Sequence, residues 1–116
     1  MSGYKLRIRV RGKTERQRHS ALPDALDALA TRADELARDA HAEPEGGGIM
    51  RRIDPVQQVV GRLEVACPHR LRAGLDVRGD GSTEAWTGQL RRQVIEEREG
   101  EAAVDALRRT LAETSR

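Results

Sequence analysis

The sequence predicts an α+β protein in which an antiparallel sheet carries helices packed on one face. Three observations lead there. The chain opens with a run that alternates apolar and basic residues, a long amphipathic segment follows, and further alternating runs broken by turn residues precede a second helical stretch.

Taken in order, residues 4–11 alternate strictly. Tyr4, Leu6, Ile8 and Val10 fall on one side of a strand, and Lys5, Arg7, Arg9 and Arg11 fall on the other. Gly12-Lys13 is the expected two-residue turn, with Gly supplying a positive φ. The chain then returns as an edge strand over residues 14–19. Residues 20–40 form the clearest helix, because Leu22, Leu26, Leu29, Ala33 and Leu36 recur at helical spacing. Pro23 suits its first turn, Asp24 complements the positive end of the dipole, and Asp34 and Arg38 form a favourable i,i+4 pair. A flexible connection is expected over residues 42–48, where Pro44 and Gly46-Gly47-Gly48 end any helix.

Residues 49–66 carry two patterns. Asp54-Pro55 resembles a helix start, yet Val59, Gly61, Leu63 and Val65 alternate, and a valine-rich run favours strand. The stretch 54–61 is therefore open between helix and strand, with strand preferred. Beyond Cys67-Pro68 the alternation resumes through Leu71, Ala73, Leu75 and Val77, which makes a hairpin. Residues 79–82, Gly-Asp-Gly-Ser, are a turn, with a short strand expected at 83–86. Residues 88–99 read as a helix buried through Leu90, Val94 and Ile95, which Gly100 weakens or kinks. Residues 101–113 restart the helical pattern with Val104, Leu107 and Leu111, supported by an Asp105–Arg109 pair.

A length of 116 residues suits one domain, enough for one modest core, with the C-terminal helix at 101–116 as a separately mobile part. No stretch approaches the roughly 18 apolar residues of a membrane span. The N-terminus alternates instead of forming an apolar run, so no export signal is expected and the location expected is cytoplasmic, which a single cysteine also suits.

Charge is more informative in its distribution than in its sum. The net charge is +2, but of 21 basic residues only Lys5 and Lys13 are lysine, so nineteen are arginine. That bias fits the codon usage of a GC-rich bacterial genome, and it also suits anion recognition, since arginine presents a planar fork to carboxylates and phosphates. Lys5, Arg7, Arg9, Arg11, Arg16 and Arg18 are candidates for one anion-binding or nucleic-acid-binding sheet face. Arg62, Arg70, Arg72 and Arg78 extend it, and Glu64 and Asp76 interrupt it. With Gly12-Lys13 as the turn, Arg9 faces Arg16 and Arg7 faces Arg18, pairs that repel unless an anion lies across them. A three-residue turn places Arg9 opposite Glu15 instead, and a solvated face of arginines neutralised by nearby acids is the plainer alternative. Trp86 is expected as a core anchor just before a helix.

No catalytic residues, cofactor or metal site are expected. Cys67-Pro68-His69 puts a thiol near an imidazole but brings no third group to orient the base of a Cys–His pair, and the three histidines lack zinc-ligand spacing. The preferred expectation is a small non-enzymatic protein that binds another protein or a second copy of itself as a homodimer, with Val104, Leu107 and Leu111 as interface candidates. The alternative is a sequence-non-specific nucleic-acid-binding protein using the arginine face. Neither involves a membrane or a small-molecule substrate.

Overall fold

The computed structural model describes residues 3–42, 58–68, 71–88 and 91–114. It is an α+β fold with a six-stranded, wholly antiparallel sheet and two helices. The strands are β1 (Tyr4–Val10), β2 (Lys13–His19), β3 (Val59–Ala66), β4 (Arg72–Arg78), β5 (Thr83–Gly88) and β6 (Gln93–Val94). The helices are α1 (Leu22–Ala42) and α2 (Ala103–Thr114). In space the strands run β2-β1-β3-β4-β5-β6. β2 and β3 both pair with β1, so they are parallel to one another, and the chain passes between them by way of α1. From β3 onward each strand pairs with the next in sequence.

The first hairpin turns one residue earlier than its sequence suggests. Val10 pairs with Lys13, so the turn is Arg11-Gly12, with φ of 52° and 81°. Positive φ at both central residues is the two-residue geometry that matches the twist of paired strands, and Gly12 adopts it without strain. The shift changes every cross-strand partner: Arg9 faces Thr14, Arg7 faces Arg16 and Lys5 faces Arg18.

Alternation then decides the two sides of the sheet. Leu6, Ile8, Leu63, Val65, Ala73, Leu75, Val77 and Ala85 share one side and form a single core with Ala25, Leu26, Leu29, Ala33 and Leu36 of α1 and Ala103, Leu107 and Leu111 of α2. Both helices thus lie on one face, and the expected Asp34–Arg38 pair is present at 3.6 Å. Among the described elements none lies over the other face. Nor is any described helix long and apolar enough to cross a membrane. The connection at 42–48 lies outside the described residues beyond Ala42. Of the ambiguous stretch 54–61, residues 54–57 lie outside as well, while residues from Val59 are strand.

The helix expected at residues 88–99 does not form. Gly88 ends β5, Gln93 and Val94 pair with Thr87 and Trp86 as β6, and the Ile95 N–H donates to the Ala85 carbonyl at 2.8 Å. The free edge of β5 offers this segment backbone partners that outweigh its weak helical pattern, and Val94-Ile95 suits a strand. Val94, expected in the core, is 54% exposed, Ile95 is packed against the core, and Leu90 lies outside the described residues. The kink expected at Gly100 is a turn that precedes α2.

Leu107 and Leu111, offered above as interface residues, are 0% and 1% exposed within the chain's own core, and Val104 packs half-buried against it. The stripe of α2 is consumed by the sheet. The start of α2 is tied down by acids. Asp105 accepts the Ala102 N–H at 3.0 Å, one half of a capping box. Arg109 donates to Glu101, at 2.9 and 3.0 Å, in place of the expected Asp105 pair. That bond, with a second from the Arg98 N–H, holds the Glu101 carboxyl down to about 2 from its ordinary 4.5. Because the folded value is the lower, the unfolded chain takes up this proton first. The stabilisation is complete above pH 4.5 and is lost as pH falls through about 2. Glu101→Gln is therefore expected to lower Tm at neutral pH and to converge with wild type near pH 2. Melting curves across that range check it, and a constant offset at every pH would assign the loss to packing instead.

Candidate nucleic-acid interface

The uncovered face of the sheet gathers the cations. Alternation places Lys5, Arg7 and Arg9 of β1, Arg16 and Arg18 of β2, Arg62 of β3, and Arg72 and Arg78 of β4 on it. Arg11 sits in the turn, and Arg70 lies outside the described residues. Arg92, which no sequence pattern singled out, joins them from the segment leading into β6. Among the described residues only Glu64, Asp76 and Glu84 are acidic on this face. Nine cations against three carboxylates leave a surplus of six, while the whole chain carries +2. The remainder of the molecule is net negative, so charge is segregated by face. That segregation, more than the sum, steers a charged partner.

The acids organise one half of this surface. Asp76 is fully buried on the face that neither described helix covers. Arg62 donates to its two oxygens at 3.1 and 3.4 Å, Arg92 donates to Oδ2, and the Trp86 Nε1–H donates to Oδ1 at 3.2 Å. A buried carboxylate is stable only when its lone pairs are satisfied in this way, and no buried side-chain polar atom among the described residues lacks a partner. Glu64 takes Arg7 and, at 3.6 Å, Arg72. Glu84 takes Arg78 at 2.6 Å and Arg92 at 3.6 Å.

The other half has no such compensation. Among the described residues Lys5, Arg9, Arg16 and Arg18 have no carboxylate partner. Lys5 faces Arg18 across the ladder, Arg7 faces Arg16, and Arg9 lies between Thr14 and Arg62. Like charges placed opposite one another destabilise a ladder, by roughly 0.2–1 kcal/mol each. Where β1 and β3 meet the middle of the sheet, a cavity of about 200 Å³ is lined by Arg7, Arg9, Arg62, Glu64, Trp86 and Arg92. That is below the roughly 300–1,000 Å³ of drug-sized sites, so it admits one anionic group of a larger ligand.

Trp86 is buried, as expected, but not as a core anchor before a helix. It sits mid-strand on the arginine side, outside the core cluster. Its indole lies across β4 on Gly74: a Cβ at that glycine would stand 2.8 Å from Cζ2, 3.0 Å from Cε2 and 2.1 Å from the Leu63 carbonyl oxygen. Gly74→Ala is thus expected to displace the ring and to cost about 1–3 kcal/mol, the usual range for overpacking. Thermal melts and a red shift of emission from the single tryptophan check it, and an unshifted spectrum at wild-type Tm would refute the close packing.

Catalytic chemistry gains nothing from the remaining candidates. Burial pushes the Cys67 thiol up, away from the reactive thiolate, and His69 lies outside the described residues. The Nε2 of His19 is 3.0 Å from the Gln17 side-chain oxygen. In the turn between β4 and β5, Asp80 accepts the Ser82 N–H and hydroxyl. Comparison with protein-family models, curated proteins and solved structures finds no match for this chain.

Proposed function

We propose that this protein binds nucleic acid without sequence preference, through phosphate contacts on the open face of its sheet. The observation that carries this is the uncompensated half of that face. Lys5, Arg9, Arg16 and Arg18 repel one another along two adjacent strands with no acid between them, beside a surface where every acid is already engaged. A polyanion lying across them relieves the repulsion, and arginine forks suit phosphate oxygens. With a single aromatic on the face, base identity has little to be read by, so affinity rests on charge.

An adaptor acting through protein contacts or self-association has less to stand on. Its candidates Leu107 and Leu111 are core, and the large exposed hydrophobics among the described residues are Val59 and Val94. Two isolated valines do not make the apolar centre that a stable protein interface needs.

Fluorescence anisotropy of labelled single-stranded DNA, duplex DNA and RNA, at low and physiological salt, tests the proposal. Binding that weakens linearly in log affinity against log salt is the expected result. Poly-glutamate competing at equal charge concentration as well as DNA does would overturn it in favour of an acidic protein partner.

A further inference from the structure

We infer that Trp86 is a stacking platform for one base of a single strand, covered in the free protein by the guanidinium of Arg92. This rests on the nucleic-acid reading above and narrows it to single-stranded partners.

The geometry of the indole is the starting point. Gly74 lets the ring settle onto β4, and the Nε1–H to Asp76 bond fixes its rotation. A ring seated on a strand in this way has one side against the sheet and the other turned outward. Over the ring stands the Arg92 guanidinium, 5.3 Å from its centroid. A guanidinium and a nucleobase are both flat groups that stack on an indole, and base stacking is the stronger contact when the cation is exposed to water. The place that Arg92 fills is one that a base can take.

Although Arg92 is bonded to Asp76, the segment that carries it opens at little cost. That segment is exposed at every described position from 91 to 99 except Ile95, and its strand is two residues long. Segments with few buried contacts open at the least cost. When Arg92 withdraws, Asp76 loses one of its four donated bonds but keeps a charge partner, because Arg62 still reaches both oxygens and the indole N–H still donates to Oδ1. The freed guanidinium stays within reach of an incoming phosphate. Beside the ring, the cavity lined by Arg7, Arg9, Arg62, Arg92 and Glu64, whose carboxylate Arg7 already engages, takes the phosphate of the same nucleotide or its neighbour. A duplex keeps its bases paired and stacked, so it reaches the arginines but not the indole.

The single tryptophan makes the test direct. Wild-type protein is titrated with a twelve-nucleotide oligo(dT), with the matching duplex, and with inorganic polyphosphate, while tryptophan emission and anisotropy are read together. Oligo(dT) is expected to quench Trp86 at the same midpoint as the anisotropy change, with the duplex and polyphosphate binding without quenching. Trp86→Leu is expected to weaken oligo(dT) about tenfold, within the range of one lost stack, and to leave duplex affinity unchanged. Oligo(dT) that binds by anisotropy while the emission of wild type stays constant would overturn the platform and leave phosphate binding standing. Absence of binding to any of the three would overturn the nucleic-acid reading itself. Should Trp86→Leu fail to fold, the wild-type quenching decides alone.

Discussion

Leu107→Asp is expected to leave the chain unfolded. Leu107 is 0% exposed and sits in the core formed by both helices and the sheet, with Leu111 one turn further along α2 at 1%. An aspartate there is a buried charge with no partner, a change that costs about 4 kcal/mol or more. A domain of this size has about 5–15 kcal/mol in total, so the variant has little or no stability left. Leu107→Ala removes the contacts without adding a charge and is expected to cost about 3 kcal/mol, lowering Tm by roughly 10 °C or more. Circular dichroism and size-exclusion chromatography read both. A Leu107→Asp protein that keeps its fold and changes only its oligomeric state would show that α2 serves an interface, and would revive self-association as the protein's role.

The second large effect concerns binding. Reversing Arg9, Arg16 and Arg18 together to glutamate is expected to weaken single-stranded DNA at low salt by about 100-fold or more. It removes three of the four cations on this face that have no carboxylate partner among the described residues, and sets repulsive charges in their place. The fold should survive, because Arg9, Arg16 and Arg18 are exposed and hold no ion pair among the described residues. Relief of the Lys5–Arg18 and Arg7–Arg16 repulsion is expected to leave Tm equal or slightly raised. Reversing Arg32, Arg38 and Arg108, which lie on the helices, is the charge-matched control and should leave affinity nearly unchanged. Equal losses from the two sets would mean that net charge, and not the open face, governs binding.

How far these features were legible in the sequence follows from which forces placed them. Period-two alternation with large apolar residues on one side gave β1, β3 and β4 and the side each basic residue takes, because a buried face fixes strand parity. The same logic puts Arg7, Arg9, Arg16 and Arg18 together for a two-residue turn at either Gly12-Lys13 or Arg11-Gly12, because that shift moves the register by two and keeps parity, whereas a three-residue turn would have sent Arg16 and Arg18 to the other face. Residues 88–99 failed for a different reason. Their structure is set by the vacant edge of β5 and by Arg92 reaching Asp76, both of which are tertiary. Arg92 and Trp86 were missed as site residues for the same cause. A signal did exist in Asp76, a lone acid within an apolar alternating strand. On a two-sided sheet such a residue must have cations or donors brought to it, and Trp86 lies on its side of the next strand once the turn at 79–82 is closed. Gly74, two residues earlier, marks where that large ring rests.

The most direct test of the central claim is the salt dependence of wild-type binding to a single-stranded oligonucleotide, measured by anisotropy from 50 to 200 mM monovalent salt. Lys5, Arg9, Arg16 and Arg18, the cations of this face without a carboxylate partner among the described residues, each neutralise one phosphate and so predict a slope of about −3 in log affinity against log salt, a loss of about 50-fold across that range. An affinity that does not change with salt, or no binding at the lowest concentration, would contradict it and return the arginine face to an ordinary solvated surface.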